Sequence, residues 1–591
     1  NPNGTNFVQQ RQLTGPSAGN LNLAWSFPFP AASPPKGLNL TGQGEIAPPL
    51  IVNGIVYGIM NDLHILAIRA SDGAVLWTYQ PIINRSGLPL GLLAGHVHGL
   101  NYHDGWVWAS LPDCSALALN ALTGAPTERI SRICADIPGN SGRYDYSGAP
   151  IVFDGNIMFW TASSVSEGTD AGRGFVAAYN VSNGRLLWRW YVSPPSGGDP
   201  QWDLQSCLPP CHGNVLPFIG DWGTLGTVAG VSRAGAGPSW GQPAVDFADG
   251  LIVLGTSQPS PDWNATYRPG PDLYSDSVVA LNITTGSLYW FYQTTPHDLY
   301  DFDCGWNVAI GSAIRNGVNV TAVFKTCKNG YTFALDAKSG YPLWEFNPPT
   351  IRRTNTGNAD YTVTGKYNAT EPWTPSVNGT VKQCPGINGA YESDISVAYG
   401  QVYVATHNFC TVITQGPVGR FGGSVSGGKN FVFDFLNANT TIYAIDASTG
   451  AETWSFSIPS IPYRGWLTST GTLVFASTLD GRILALDART GALIGSTTVG
   501  SSLYEGVTVG NDAAGNVLVL QLTSSPSYGG FVTGVPGSLL AFRPARPISN
   551  VLGLLPYALA TVVAAGVVIT YLLTKLLKSQ REAGSGTSPV T

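Results

Sequence analysis

The chain has 591 residues, 72 of them glycine and 42 proline, with 11% charged and 11% aromatic residues. So turn-rich and charge-poor a composition excludes a helical bundle, and 43% hydrophobic residues with 17 tryptophans exclude global disorder. A formal net charge of −6, without a dense basic stretch, excludes phosphate-backbone recognition, so no nucleic-acid partner is expected.

In chain order, the first element is LNLAWSF around Trp25, an apolar strand with no hairpin partner nearby. One phrase then recurs: LAIRASDGAVLW ending at Trp77, AAYNVSNGRLLW at Trp188, ALNITTGSLYW at Trp290, FALDAKSGYPLW at Trp344 and YAIDASTGAETW at Trp454. Two further copies lack the tryptophan, LALNALTG ending at Gly124 and LALDARTG ending at Gly491. Each reads as an apolar strand, a turn carrying Asp or Asn and then Gly, and a second strand opening on an aromatic residue, which is hairpin chemistry. Units of roughly 40 to 50 residues with loops inserted between them predict four-stranded blades of a β-propeller. Residues 537–543, GSLLAFR, give the inner part of an eighth phrase without its outer strand. The fold class is therefore all-β: eight blades over residues 1–545, the ring closed by pairing residues near 22–28 with residues near 537–543, which removes the open edges.

Eight cysteines fall into near pairs, Cys114/Cys134, Cys207/Cys211, Cys304/Cys327 and Cys384/Cys410. Four disulfides are expected on proximity, although eight cysteines allow 105 connectivities. Cys207-Leu-Pro-Pro-Cys211-His212 has one residue too many for haem attachment, and a small disulfide loop is the better reading. Ten N-x-[ST] sequons, at Asn3, Asn39, Asn84, Asn180, Asn264, Asn282, Asn319, Asn368, Asn378 and Asn439, all precede residue 551. From Val551 to Thr574 no charge occurs over 24 residues, enough for one transmembrane helix, and Lys575, Lys578 and Arg581 follow at once. The expected topology is a glycosylated extracellular propeller, a helix at 551–574 and a short cytoplasmic tail at 575–591, with a signal peptide removed before Asn1.

Several segments carry a more specific pattern. Trp240-Gly-Gln-Pro, GTSQPSPDWN at 255–264, RPGPDLYSDSVVALN at 268–282, TPHDLYDFD at 295–303, KNG at 328–330, CPG at 384–386 and RGWLTSTGTLVFASTLDGRILALDARTG at 464–491 stand in order along the chain. Together they resemble the pyrroloquinoline quinone (PQQ)-dependent alcohol dehydrogenases, quinoproteins on an eight-bladed propeller. The resemblance implies PQQ and a Ca²⁺ or lanthanide ion as cofactors, with Trp240 as the flat floor of the cofactor site and Trp466 as a further contact. It implies Asp301 as the base that takes the substrate hydroxyl proton, Lys328 as the basic residue beside the quinone oxygens, and Glu167, Gln258, Asp301 and Asp303 as the side chains that meet around the cation above Trp240. Glu167 lies near the family's metal-binding Glu, with Asp170 a competing assignment. Asp303 resembles the extra carboxylate of the lanthanide-using members, because a trivalent ion wants more anionic oxygen. The spaced pair Cys384/Cys410 also matches one in the family.

Four positions depart from that pattern. Leu92-Leu93 stand where the family commonly has adjacent cysteines, His98 replaces an Arg that holds a cofactor carboxylate, Gln258 replaces a metal-ligating Asn, and Glu392 sits where a neutral or basic group is usual. Three function classes follow. The first is a membrane-anchored quinoprotein dehydrogenase oxidising an alcohol, aldehyde or sugar and passing electrons to a separate acceptor. The second is a cofactor-free hydrolase resembling the tetrathionate hydrolases, in which Asp301 activates water. The third is a non-enzymatic surface scaffold like the assembly-factor propellers, against which the carboxylates and lysine of the motif argue.

Overall fold

The computed structural model describes all residues except 1–2, 32, 34–46, 61, 84–98, 132, 134–143, 146–147, 154–155, 165–171, 196–201, 203–205, 216–220, 224–234, 239–240, 261–264, 266–267, 355–379, 415–429, 524–536, 546–564 and 580–591. The described residues form nine sheets, and eight of them contain a meander of four antiparallel strands. Seven of these blades lie at residues 50–79, 100–130, 151–191, 244–293, 309–346, 396–459 and 468–498. The eighth joins Thr508–Asn511, Val517–Thr523 and Ser538–Pro544 to Leu21–Pro28 from the other end of the chain, with Leu21 opposite Pro544 and Pro28 opposite Ser538. The expected closure is thus observed. A ninth sheet of Thr380–Gln383, Thr411–Thr414 and Asn430–Phe433 is an insertion around the sixth blade.

Alternating strands put one apolar face of each blade against the next, and the buried clusters run full circle. Ile252 and Phe291 of the fourth blade pack on the third, and Val323 and Phe333 of the fifth pack on the fourth. Trp25 and Leu539 of the eighth pack on Val56 and Ile68 of the first.

The repeated phrase has a direct mechanical meaning. In its turn the Asp or Asn side chain accepts from two backbone N–H groups and a hydroxyl, as Asn282 does from Thr284 N, Thr285 N and Thr285 Oγ1 at 2.9–3.2 Å. The glycine that follows has positive φ, and a Cβ at Gly73, Gly124, Gly286, Gly340, Gly450 or Gly491 would lie within 3.0 Å of an indole from the preceding blade. Those indoles are Trp25, Trp77, Trp188, Trp290, Trp344 and Trp454, and each Nε1 donates at 2.8–3.0 Å to a carbonyl beside the same turn. The tryptophan ending one phrase therefore docks on the glycine of the next. Where the phrase lacks its tryptophan, Ile130 stands 4.0 Å from a Cβ at Gly184.

The described disulfides are Cys207–Cys211, Cys304–Cys327 and Cys384–Cys410, as expected. Cys114 is also disulfide-bonded, while Cys134 lies outside the described residues. The chain divides into two compact units, Asn1–Pro544 and Ala545–Thr591. Of the second, the described part is an exposed helix over residues 565–579. Residues 551–564 of the expected transmembrane segment lie outside the described residues, among which no helix is long and apolar enough to cross a membrane.

Docking and backbone strain separate in one comparison. Gly340 and Gly515 both have positive φ, but only Gly340 abuts an indole. Gly515→Ala is expected to lose about 1 kcal/mol from the left-handed backbone alone, and Gly340→Ala about 2 kcal/mol more from overpacking against Trp290. Urea unfolding of the two variants measures the difference, and equal losses would refute the docking role.

Candidate active site

The site grows from two loops, one inserted in the fourth blade between Leu251–Ser260 and Ser277–Asn282 and one joining the fourth blade to the fifth. Residues 268–276 and 295–303 have few strand partners, so their polar groups satisfy one another. Arg268, fully buried, pairs with Asp272 and donates to the Asp298 carbonyl at 2.6 Å. Asp221 accepts from the backbone N–H of Asp272 and Leu273, each at 2.6 Å. Asp298 accepts from Tyr300 N and Phe302 N at 2.7 Å. Burial still pushes the Asp298 carboxyl up to about 6, against the pull of those two N–H groups and of Arg268. Asp272, Asp276, His297 and Asp301 all adopt positive φ, a conformation that such side chains hold only where surroundings impose it.

At the end of this knot Asp301 and Asp303 meet Lys328. Lys328 Nζ lies 2.9 Å from Asp301 Oδ1, 2.7 Å from Asp303 Oδ2 and 3.8 Å from Glu392 Oε1, and all four side chains are buried. Burial alone would lower the lysine, but Asp301, Asp303 and Glu392 together hold it well above its ordinary value, so it is an ammonium. Gln258, at the end of its strand, donates its backbone N–H to Asp303 Oδ1 at 2.8 Å, and its amide faces the same carboxylate. Glu392 Oε2 in turn binds Arg464 Nη1 at 2.7 Å and accepts from Asn388 Nδ2 at 3.2 Å. The result is an alternating series of charges, Asp301 and Asp303, Lys328, Glu392, Arg464, on loops of three different blades.

Arg464 and Trp466 also line a cavity of about 480 Å³ whose walls include Gln242, Trp306, Asp394 and Glu505. Trp466 is held by an Nε1 bond to the Val507 carbonyl at 3.0 Å, and its ring lies against Gly506. Of the residues singled out in the sequence, Gln258, Asp301, Asp303 and Lys328 are brought together, and Trp466 stands two residues from the Arg464 that extends their network. Trp240, His98 and Glu167, with the alternative Asp170, lie outside the described residues. Leu92 and Leu93 do so as well.

The donor set bears on the implied cofactors. Gln258, Asp301 and Asp303 offer oxygen atoms only, which suits a hard cation such as Ca²⁺ or a lanthanide. Among the described residues no three His, Cys, Asp or Glu side chains converge to hold a metal by themselves, so such an ion needs a further ligand. Lys328 and Arg464 supply cationic groups that suit a tricarboxylate quinone, and Trp466 a flat aromatic face.

Two buried groups were not foreseen. Among the described residues neither carboxylate oxygen of Asp276 has a hydrogen-bond partner, and burial, reinforced by Asp298 and Asp303, pushes this carboxyl well above its usual range. Asp276 lies inside the RPGPDLYSDS motif, but nothing in a lone Asp signals an unpaired one. His407 is buried edge-on against Phe409, its Nδ1 without a partner among the described residues, and burial with Arg464 and Lys328 nearby pushes it down to about 3.

The comparisons with known proteins agree with this geometry. The fold and the motif-borne charge cluster define an all-β propeller of the quinoprotein type. The family model described as "Glucose/ethanol/alcohol dehydrogenase, beta-propeller domain" matches residues 1–430, and the chain belongs to that family. A second model, "Outer membrane protein assembly factor BamB", matches residues 334–534, where the blade phrase recurs. The quinoprotein alcohol dehydrogenase PedH of Pseudomonas putida is 28% identical over 82% of this chain and 78% of its own. The lanthanide-dependent methanol dehydrogenase of Methylacidiphilum fumariolicum is 26% identical over 84% and 79%. Against the dehydrogenase subunit of the quinone alcohol dehydrogenase of Gluconacetobacter polyoxogenes, at 28% identity over 60% of this chain, the chain spans about half of the relative's length (47%). A europium-containing methanol dehydrogenase structure superposes with a TM-score of 0.73 at 22% identity, covering 92% of this chain and 96% of that one.

The state of His407 sets a pH dependence. Its unfolded-state value is near 6.5 and its folded value about 3, so on acidification the unfolded chain takes up a proton that the folded protein refuses. Stability from this group is complete above 6.5 and is lost progressively as pH falls toward 3. His407→Leu should therefore flatten that acid limb by a few kcal/mol, roughly, in denaturant titrations across the window. An unchanged difference between wild type and variant at all pH values would contradict the buried neutral imidazole.

Proposed function

We propose that the chain is a PQQ-dependent dehydrogenase that oxidises an alcohol, aldehyde or sugar and delivers electrons to a separate acceptor. The observation that carries this reading is the buried cluster of Asp301, Lys328 and Asp303, in which a carboxylate at positive φ is held 2.9 Å from an ammonium. When bound, PQQ supplies a two-electron acceptor for hydride and the cation a Lewis acid. Asp301 accepts the hydroxyl proton of the substrate at its carboxylate. Lys328 pairs with that carboxylate at 2.9 Å in a buried setting and offers its remaining donor capacity to quinone oxygens. Asp303 and Gln258 would hold the cation together with Glu167, and Arg464 and Trp466 would border the cofactor. The name of the lanthanide-dependent methanol dehydrogenase supports a reading in which Asp303 serves a lanthanide.

The same proposal places the propeller on the extracellular side of a cell membrane, anchored by residues 551–574 and N-glycosylated. Support comes from the 24 uncharged residues of that segment, from the basic residues after it and from the sequons, of which Asn3 and Asn319 are exposed.

The absorption spectrum of the purified chain before and after adding PQQ with Ca²⁺ or La³⁺ tests the cofactor. A quinone spectrum that survives gel filtration is expected with at least one of the two ions. No retained absorbance with either would sink the dehydrogenase and favour the cofactor-free hydrolase. Asp301→Asn should retain the bound quinone yet lower turnover about 10²-fold or more, measured with an artificial electron acceptor.

A further inference from the structure

Asp303 and Lys328 are each one residue away from a cysteine, and those two cysteines are joined to each other. Cys304 follows Asp303, Cys327 precedes Lys328, and the disulfide between them is fully buried. We propose that this disulfide is a positioning element of the active site, whose task is to hold Asp303 and Lys328 in register; this inference rests on the reading of the site given above.

The argument begins with what the bond does not do. The strands Ala309–Arg315 and Val318–Thr326 already form an antiparallel hairpin, paired residue for residue from Arg315 opposite Val318 to Ala309 opposite Phe324. That ladder joins the two segments without a covalent link. The disulfide lies beyond its last rung, where the 295–306 segment has no strand structure and where the site residues stand. There it completes a small junction of three segments that each contribute one group. Lys328 N donates to the Asp303 carbonyl at 2.9 Å, Cys304 N to the Thr256 carbonyl at 3.1 Å, and Gln258 N to Asp303 Oδ1 at 2.8 Å. Gly255 lets the strand that bears Gln258 approach this closely, since a Cβ there would meet the Cys304 carbonyl and the Lys325 side chain. Backbone hydrogen bonds fix the height of the loop, and the covalent bond removes the freedom of Asp303 to swing away from an ammonium that has two other carboxylates to choose from, Asp301 and Glu392.

The test uses the full chain with Cys304→Val and Cys327→Ala together, which fill the buried space. Lys328 is acetylated with acetic anhydride and quantified by mass spectrometry against Lys338 and Lys382, which are exposed. Loss of positioning predicts labelling of Lys328 about tenfold faster than in wild type under native conditions, because the pair opens locally. In the PQQ-loaded protein it predicts kcat about tenfold or more lower with KM little changed, and a displaced pH profile. A bond that merely stabilises would lower the melting temperature and leave all three untouched, and slow wild-type-like labelling overturns the inference. Labelling needs neither cofactor nor substrate, so it decides this question even if wild type proves inactive with PQQ, a result that would bear on the proposed function instead. Should the double variant not fold, wild type is partially reduced under native conditions, and Lys328 labelling is compared between molecules with and without alkylated Cys304 and Cys327.

Discussion

The whole assembly depends on an indole seated over a glycine. Six times around the ring a tryptophan that ends one blade lies on the turn of the next and donates its indole N–H to that turn's carbonyl. The interaction couples a large apolar area to a directional bond, so it sets both the distance and the rotation between neighbouring blades. It also explains why glycine is needed at those turns twice over, for the left-handed backbone and for the space the ring occupies. Because the blades are indexed in this way, loops at one end of the ring can vary widely in length and still deliver side chains to a shared position.

What they deliver is a dense group of charges that none of the loops could hold alone. Three carboxylates within reach of one ammonium are tolerable in a buried site only because the lysine, and behind it Arg464, balance them. The neighbouring Asp276 and His407 show the opposite solution, in which burial without a partner leaves the group neutral. A site that mixes both solutions within a few side chains combines a base fixed by an ammonium with a surrounding of low polarity.

Much of this was legible in the residues, for reasons that can be stated. The blade phrase repeats, so periodicity reveals it, and the two partial phrases at residues 22–28 and 537–543 announce their own pairing. Asp301, Asp303 and Lys328 sit in contiguous motifs and could be singled out, and the cysteine pairs lie close in sequence. The inserted sheet could not be read, because Thr411–Thr414 and Asn430–Phe433 interrupt the sixth blade without any phrase of their own. Nor could the role of Glu392: its partners Lys328 and Arg464 are more than sixty residues away on either side, and only the closed ring makes them neighbours. Lys328 itself was expected beside quinone oxygens, and the structure shows it equally engaged with the two aspartates.

The pairing of Leu21–Pro28 with Ser538–Pro544 has a consequence for biogenesis. A strand synthesised near the start of the chain finds its place last, since its partner emerges only when nearly every other blade has been made. Throughout elongation Leu21–Pro28 can already seat Trp25 on the Gly73 turn of the first blade but lacks Ser538–Pro544, so its hydrogen-bonding edge remains open in the nascent chain. The ring therefore ripens only on completion, and a product truncated before residue 538 carries its own signature of immaturity in an unpaired Leu21–Pro28.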